Sequence, residues 1–398
     1  MNLAVTSEHR FDRTPDGAVW TRTAHAYGFW TRYLVTFDHV KVVARVRDIP
    51  QVEPDARRAD GPGVSVFSVP YYVGPVQYLK LRSAVVQRVR QSVAANEAVM
   101  MRVPSQIADC LAPALRRAGR PYGVEVITDP WDAFSPHANP HPLRPLIRRW
   151  AFHQLKRHCN NATGAAYVTA AALQRRYPCP RHMAAMSDVE LSACPILPAA
   201  RRFVDAPDSA RRKTVITVGS LDHLYKSQDV LIKAIAVCVA KGCNIQLKIV
   251  GDGRNRQFLE DLAVSLKLGD RVVFLGSLPS VVEQLDGADL FALPSRQEGL
   301  PRALVEAMAR GLPCIGSEVG GIPELLAPED IVPRNNVEAL AEKIQEVLSD
   351  SGRAGRMSAR NLEKAKEYDE AKLRELRGAF FTYLQDATEH WFRARRQG

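Results

Sequence analysis

Two glutamates eight positions apart carry the sharpest chemical signal in this sequence of 398 residues. Glu298 is followed by Gly299 and Pro301, which place it in a loop, whereas Glu306 falls inside a predicted helix among apolar neighbours. On one continuous helix the two residues would lie about 12 Å apart along the axis, too far for a close acid–base pair. A carboxylate among apolar residues needs a polar partner. The spacing therefore indicates two acceptors that hold hydroxyls on distant parts of one long ligand, such as a sugar nucleotide.

Small and polar residues follow the predicted strands of the same half of the chain. Ligands of open parallel sheets bind beyond the carboxyl ends of the strands, where glycine lets backbone N–H groups approach them. Each glycine alone is better explained by a tight turn, but five strand ends share the pattern. They are Gly219-Ser220, Gly251-Asp252-Gly253, Gly276-Ser277, Pro294-Ser295 and Gly316 with Gly320-Gly321. Lys226 follows the first of them and is either a point charge for a diphosphate or a solvated lysine at a helix start.

The apolar pattern predicts alternating strands and helices in both halves, which favours parallel sheets with helices on both faces. The predicted strands are residues 3–6, 40–46, 64–69, 98–103, 124–128 and 165–169, then 214–218, 246–250, 272–275, 290–293 and 314–316. The predicted helices are residues 19–34, 78–95, 106–117 and 144–159, then 228–240, 256–266, 281–285, 301–310, 336–350 and 371–396. We therefore expect an α/β protein with domains at 1–190 and 213–370, a linker at 191–212 and a C-terminal helix at 371–398.

The net charge of +11 is distributed unevenly, with +10 in residues 1–200 and +1 in residues 201–398. An anionic partner of the first half and a solubilising surface are both compatible with this excess. The seven cysteines form no CxxC pair, no Asp-x-Asp pair occurs, and no secretory signal or membrane-spanning stretch is visible. We expect a cytoplasmic protein with reduced thiols and no metal site.

The motifs of the second half resemble, in their order, the donor-binding domain of family 4 retaining glycosyltransferases, which have the GT-B fold. The matching pieces are Val218-Gly219-Ser220-Leu221 with Lys226, Val250-Gly251-Asp252-Gly253, Phe274-Leu275-Gly276, the run from Glu298 to Glu306, and Gly320-Gly321-Ile322-Pro323-Glu324. They cover about residues 213–350. The first half resembles the family in outline only. The resemblance implies two facing Rossmann-like domains and a C-terminal helix that crosses back to the first.

The resemblance also implies roles for individual residues of a donor site. Glu298 would contact hydroxyls of the transferred sugar, Glu306 would bind the ribose, and Lys226 would bind the diphosphate. Backbone groups and small side chains would complete the site at Gly219, Ser220, Gly251, Gly276, Leu278, Gly299, Leu300 and Pro301. Gly219 would offer its backbone to the diphosphate, while Gly276 and Leu278 would flank the base.

Two departures from the family pattern affect these roles. The family often has Arg where this chain has Ser220, so Arg296 or Arg302 is a candidate for the missing phosphate contact. The family also often has a His in the first domain, but none directly follows residues 124–128. Asp129 or Asp132 is the candidate for that positioning role, although Asp132 could equally cap a turn.

The resemblance implies transfer from a nucleotide sugar with retention of configuration and without a metal or other cofactor. The acceptor would bind the first domain, with Asp16 and Gly17 in place of the family's Gly-rich loop and Asp132 on the same side. The first domain contains a predicted basic helix face and a separate group of aromatic residues that could be amphipathic. The basic residues are Arg144, Arg148, Arg149, Lys156 and Arg157, and the aromatic residues are Trp20, Phe29, Trp30 and Tyr33. We expect these groups to attach the protein to the inner face of the plasma membrane near a lipid-diphosphate-linked acceptor, unless the aromatics form core instead.

Three other function classes remain open from the sequence. An epimerase or phosphorylase-like enzyme of the same fold would also bind a nucleotide sugar, and so would a non-catalytic binder. A nucleic-acid binder is suggested by charge alone, without a recognisable motif. Hydrolysis of one particular nucleotide sugar would separate the sugar-nucleotide enzymes from the nucleic-acid binder.

Overall fold

The computed structural model describes residues 1–135, 142–189, 191, 194–204 and 211–397. The chain divides into two units, formed by Met1–Pro130, Arg149–Met186 and Arg374–Gly398, and by Trp131–Arg148 and Ser187–Leu373. Residues 131–148, which the sequence assigns to the first domain, thus fall in the second unit. Arg148 Nε donates to Trp131 O at 2.6 Å, and the Arg148 guanidinium lies 3.8 Å from the centre of the Trp131 ring. These contacts bind the two ends of the segment to each other. Residues 192, 193 and 205–210 of the predicted linker lie outside the described residues.

The N-terminal unit is built on one nine-stranded sheet. Its strands are β1 (Leu3–Arg13), β2 (Val19–Thr21), β3 (Val40–Asp48), β4 (Arg57–Arg58), β5 (Val64–Val69), β6 (Ala98–Val103), β7 (Gly123–Val126), β8 (Gly164–Tyr167) and β9 (Met183–Ala185). The helices of this part of the chain are α1 (Tyr27–Trp30), α2 (Gly74–Gln91), α3 (Gln106–Arg117), α4 (Pro130–Ala133), α5 (Arg144–Asn161) and α6 (Ala172–Arg176).

Seven of these strands run parallel in the order β5-β3-β1-β6-β7-β8-β9, and β2 and β4 extend the sheet antiparallel. Residues 3–6 of β1 pair with both β3 and β6. After a register shift between Thr6 and Arg10, the strand continues beside β3 alone, with Arg10 opposite Arg45 and Asp12 opposite Arg47. The strand order therefore reverses between β1 and β6, which is the switch point of a Rossmann-like sheet.

The predicted helix at residues 19–34 is wrong. The chain forms β2, the short α1 and a 3₁₀ helix at Thr31–Val35 instead, because its aromatic side chains face inward rather than to one side of a helix. Phe29, Trp30 and Tyr33 are buried in the core, and Trp20 donates its indole N–H to Thr14 Oγ1. The core interpretation of these aromatics is therefore the correct one for Phe29, Trp30 and Tyr33.

The C-terminal unit has a six-stranded, fully parallel sheet in the order β12-β11-β10-β13-β14-β15. The strands are β10 (Lys213–Val218), β11 (Ile245–Val250), β12 (Val272–Gly276), β13 (Leu290–Leu293), β14 (Cys314–Ser317) and β15 (Ile331–Val332). The helices are α7 (Gln228–Ala240), α8 (Arg256–Ser265), α9 (Val282–Asp286), α10 (Arg302–Ala309), α11 (Ile322–Leu325), α12 (Val337–Ser349) and α13 (Ser351–Ala365). Numbered along the chain, these strands have the Rossmann order 3-2-1-4-5-6, with the switch point between β10 and β13.

Helix α13 is absent from the sequence prediction. Asp350, which was taken as the end of the preceding helix, instead caps α13 by accepting from Arg353 N at 2.7 Å. Gly352 and Gly355 lie inside α13 and lower its helix propensity, so the sequence pattern does not indicate a helix there.

The final helix, α14 (Glu370–Gln397), packs on the N-terminal unit as the sequence predicts. Phe380, Phe381 and Leu384 belong to the core cluster of that unit. The Phe381 ring lies 5.0 Å from the Tyr33 ring, and the Tyr383 hydroxyl donates to Thr163 O. All seven cysteines are free thiols, and six of them are buried.

Candidate functional site

Lys226 and Glu298 meet at the switch point of the C-terminal sheet. Lys226 lies in the loop that follows β10, and Glu298 in the loop that follows β13. Lys226 Nζ donates to Glu298 Oε1 at 2.6 Å, and the two side chains are 14% and 6% exposed. The fold therefore brings together the two residues that the sequence selected for the diphosphate and the sugar, at the crevice where such sheets bind ligands.

Glu298 keeps one carboxylate oxygen for a ligand. Its Oε1 also accepts from the Ser295 hydroxyl at 2.7 Å. Its Oε2 has no donor among the residues that the structure describes. This arrangement fixes the rotamer through Oε1 and leaves Oε2 to accept a hydroxyl hydrogen. The sequence analysis missed Ser295 as a positioning residue; its place directly after a strand end was the signal.

The Arg296 side chain links the two loops through hydrogen bonds. Its guanidinium makes two bonds of 2.8 Å to Asp229 on α7 and donates to Asn335 at 2.7 Å and to the Leu224 carbonyl at 2.6 Å. These bonds use four of the five guanidinium N–H groups, which does not favour Arg296 as the missing phosphate contact. These hydrogen bonds instead hold the turn that carries Lys226 against the loop after β13.

The backbone after β10 offers a different N–H group from the one the sequence predicts. Gly219 N donates to Val250 O at 2.9 Å, so it is not available for a diphosphate. Ser220 N has no acceptor within the described part of the chain and is the next candidate. Gly251 has φ +131°, and a Cβ there would lie 2.0 Å from Gly219 O. Only glycine permits this close approach of the two loops.

A glycine pair after β14 supports the loop that carries Glu298. Gly321 N donates to Gly299 O at 2.7 Å. Gly320 has φ +53°, and a Cβ there would lie 2.3 Å from Glu298 O. This explains why Gly320-Gly321 accompanies the glutamate run. Leu300 is half-buried and Pro301 is buried, and both lead into α10.

The N-terminus of α10 has no side-chain cap, since Pro301 occupies the capping position. The N–H groups of Arg302 and Ala303 have no acceptor in the described ranges. A helix terminus of this kind favours an anion through its unpaired N–H groups and its dipole. The Arg302 side chain is exposed at the same terminus and remains a candidate phosphate contact.

Glu306 projects from the second turn of α10 into a largely apolar environment. Burial raises the pKa of its carboxyl above the ordinary value, and Arg302 offsets part of that rise. No donor to the carboxylate is found within the described residues. A half-buried acceptor without a partner in an apolar environment is suited to a ligand hydroxyl.

The residues predicted to flank a base lie at the end of β12, the neighbouring part of the same sheet edge. Gly276 has φ +69°, and its carbonyl accepts from Gly251 N at 2.8 Å. Leu278 is half-buried and packs against the core beneath the loop. The backbones of Gly251 and Gly276 are thus hydrogen-bonded to each other beside the switch point.

The residues predicted for the first domain have structural partners of their own. Asp129 is 4% exposed and accepts hydrogen bonds from Arg176 and from the Tyr177 hydroxyl. Its carboxylate is therefore committed to the packing of α6, which does not favour the catalytic role. Asp132 is half-buried in α4, and its carbonyl accepts from Ser135 N.

Asp16 and Gly17 form the turn between β1 and β2. The Thr14 hydroxyl and Ala18 N donate to the Asp16 carboxylate, and these bonds lower the pKa of Asp16. Gly17 has φ +84°, as this turn requires. The pair therefore does not form a Gly-rich loop at the switch point, since β1 continues to Arg13 before the turn.

The described residues were predicted to contain neither a metal site nor a membrane-spanning helix. No three His, Cys, Asp or Glu side chains within them are placed to hold a metal ion. None of the described helices is long and apolar enough to cross a membrane.

Comparison with known proteins identifies the family of the region that carries these motifs. Residues 202–367 match the family model described as glycosyl transferases group 1. Residues 202–367 are thus a glycosyl transferases group 1 domain, and the chain is a glycosyltransferase. It is 27% identical to protein CapJ of Staphylococcus aureus over 77% of this chain and 78% of CapJ. It is also 34% identical to a colanic acid biosynthesis glycosyltransferase, WcaL of Escherichia coli, over 42% of each chain, so that match covers less than half of either protein.

Solved glycosyltransferase structures share the fold of the whole chain. Sucrose-phosphate synthase from Thermosynechococcus elongatus has a TM-score of 0.69 and 18% identity, over 96% of this chain and 98% of the other. Anabaena HepE in complex with UDP-glucose has a TM-score of 0.65 and 18% identity, over 96% and 99% of the two chains. The GT-B fold with two Rossmann-like domains is thereby confirmed.

Proposed function

We propose that this glycosyltransferase moves a hexosyl group from a nucleoside-diphosphate sugar to a saccharide acceptor, with retention of anomeric configuration, in the assembly of a cell-surface polysaccharide. The Lys226–Glu298 pair at the switch point carries the proposal. It places a fixed cation and a carboxylate oxygen at the crevice where a diphosphate and its sugar would meet. The similarity to WcaL, which is named for colanic acid biosynthesis, supports a role in polysaccharide assembly. The similarity in fold to HepE, which was solved with UDP-glucose, supports a nucleoside-diphosphate sugar as the donor.

The mechanism assigns the leaving diphosphate to groups of the chain itself. Lys226, the Ser220 N–H and the uncapped terminus of α10 would stabilise the charge that develops on the leaving group. Glu298 Oε2 would hold a hydroxyl of the transferred sugar, and Glu306 would hold the ribose. We propose that transfer needs no metal ion, and activity that survives EDTA treatment is the expected result.

A donor panel tests the proposal. A bound nucleotide sugar should raise the melting temperature of the full chain by mass action, and the same compound should be hydrolysed slowly without an acceptor. Conversion of the donor to its epimer would favour the epimerase alternative, and binding without turnover would favour a non-catalytic binder. No stabilisation by any UDP- or GDP-sugar would contradict the donor site.

We also propose that the acceptor is lipid-linked and that the enzyme binds an anionic membrane surface through α2 and α5. These helices contain nine Lys and Arg residues and no Asp or Glu, which accounts for most of the excess charge of the first half. Their exposed apolar side chains include Val76, Leu79, Leu146 and Trp150. Cationic and apolar groups on one helix surface favour anionic lipid headgroups.

A vesicle-pelleting assay tests the membrane proposal. Binding to vesicles with anionic lipid should weaken with salt and with Lys80→Glu/Arg90→Glu on α2. Lys233→Glu on the exposed surface of α7 is the matched control and should change binding little. Equal pelleting with neutral and anionic vesicles would contradict the proposal.

A further inference from the structure

A cleft of about 640 Å³ lies over the part of β1 and β3 that extends beyond the switch point of the N-terminal sheet. Its floor consists of alternate residues on one face of the two strands, which are Glu8, Arg10 and Asp12 of β1 and Arg45 and Arg47 of β3. Its walls include Thr21, Arg22 and Thr23 on one side and Tyr71, Val73 and Gly74 on the other. All of these residues belong to the N-terminal unit.

The floor of the cleft contains three arginines but only two acidic residues, so one positive charge is not neutralised. Arg47 pairs with Asp12 at 2.9 Å, and Arg45 pairs with Glu8 at 3.0 Å. Arg10 has no acidic partner among the described residues, yet it stands beside Arg45 in the parallel register. Like charges on directly neighbouring strand positions are unfavourable unless an anion lies between them.

Glu8 does not supply that anion. Its Oε1 accepts from the Ser105 hydroxyl and from Ile107 N at the start of α3, both at 2.9 Å. Its Oε2 is the atom paired with Arg45. Glu8 is therefore held at the α3 terminus, and the charge of Arg10 remains unbalanced.

The pKa of His9, which lines the same cleft, depends on the charges around it. Burial and, to a smaller extent, the charges of Arg102, Arg45 and Arg10 together lower its pKa to about 4. No acidic group offsets these effects among the causes of the shift. Neutral His9 bonds through Nε2 to Thr23 Oγ1, with its ring centre 3.6 Å from that of His25. Burial and the nearby arginines therefore both disfavour a protonated His9.

Other groups of the cleft are suited to a sugar. Tyr71 offers a ring, with the Arg47 guanidinium 5.4 Å from its centre. Thr21 and Thr23 offer hydroxyls. Guanidinium groups form charge-assisted hydrogen bonds to carboxylate and phosphate oxygens.

We propose that this cleft binds an oxyanion, carboxylate or phosphate, carried by the acceptor saccharide, with Arg10 as the principal contact. The proposal rests on the proposed transfer to a saccharide acceptor. It narrows the acceptor to an acidic or phosphorylated sugar.

Titration of the full chain, labelled with ¹³C-histidine, tests the proposal with glucuronate, glucose 6-phosphate and glucose as probes. His9→Gln identifies the His9 signal. Both anions should shift that signal and raise the pKa of His9, and at least one should bind about tenfold more tightly than glucose. A preference for glucuronate indicates a carboxylate, and a preference for glucose 6-phosphate indicates a phosphate.

Arg10→Gln should remove the preference for the anion. The matched control is Arg13→Gln on the same strand, whose side chain pairs with Asp48 outside the cleft; it should keep the preference. Equal binding of all three probes, no response of His9, or the same loss in both variants would overturn the proposal. UDP binding of each sample is measured in parallel, so that failure of the donor site is recognised separately.

Discussion

The two sheets of this glycosyltransferase share a strand order but use their switch points differently. In the C-terminal sheet, the crevice between β10 and β13 holds the Lys226–Glu298 pair, and the following helix α10 starts without a side-chain cap. In the N-terminal sheet, the crevice between β1 and β6 is closed, because Glu8 and Ser105 satisfy the start of α3. A nucleotide diphosphate would meet unpaired N–H groups in one unit and a carboxylate in the other.

The comparison of the two switch points shows that the same strand order can occur with and without an open crevice for a ligand. The extra residues of β1 between Thr6 and Arg10 put Glu8 over α3 and carry the strand onward beside β3. The cleft of the N-terminal unit consequently lies over the extension rather than at the switch point. In our proposal, local residues rather than the strand order assign the donor to the C-terminal unit.

The largest effect should come from Glu298→Gln. The amide can still accept from Ser295 and Lys226 but lacks the charge that strengthens a bond to a sugar hydroxyl. We expect kcat to fall by about 10²–10³, as for loss of one preorganised transition-state contact. Initial-rate measurements with the donor from the panel check this, with circular dichroism as the test of folding. Full activity in Glu298→Gln would break the assignment of the donor to the C-terminal switch point.

Glu8→Gln probes the other side of the comparison and should affect stability. The substitution weakens the bonds to Ser105, Ile107 and Arg45, and we expect the free energy of unfolding to fall by about 1–2 kcal/mol. Urea denaturation measures the change. Glu53→Gln, at an exposed loop position, is the control and should be neutral. An unchanged stability in Glu8→Gln would mean that Glu8 does not close this switch point.

Glu306→Gln should produce the smallest effect, in opposite directions for stability and binding. The pKa of Glu306 is raised in the folded protein above its ordinary value of 4.5, so ionisation costs folding free energy as pH rises through the folded value. The ligand-free variant should therefore melt higher than wild type at pH 7, by about 1–3 °C, and the difference should vanish below pH 4.5. Nucleotide binding should weaken because glutamine is a poorer acceptor for the ribose. Scanning calorimetry at both pH values checks the sign, and a variant that melts lower at pH 7 would contradict it.

Much of the C-terminal unit was predictable from sequence. The apolar pattern gave α7 and β13 with their observed bounds, because short apolar strands and helices alternate there with clear turn residues. Glu298 and Lys226 were selected from the loops between them, and the fold brings them together. Their contact follows from parallel topology, which collects the loops after neighbouring strands at one edge.

The remaining features depend on contacts that sequence spacing does not encode. The sequence makes Arg296 a candidate phosphate contact alongside Arg302, because an arginine beside a glycine loop does not reveal a partner such as Asp229 on another element. Gly219 was taken as a free donor, although its N–H completes the ladder to Val250. In the first half, the aromatics around Trp30 looked amphipathic along the chain but are buried by long-range packing.

Calorimetric titration with UDP and GDP tests the central claim, that the C-terminal switch point binds the donor through Lys226. At least one nucleotide should bind the wild-type chain, and Lys226→Met should weaken that binding by about tenfold or more, since a charged contact to phosphate is lost. Lys233→Met, on the exposed surface of the neighbouring helix α7, should bind as the wild type does. Equal affinities in Lys226→Met and wild type, or no binding of either nucleotide, would contradict the account.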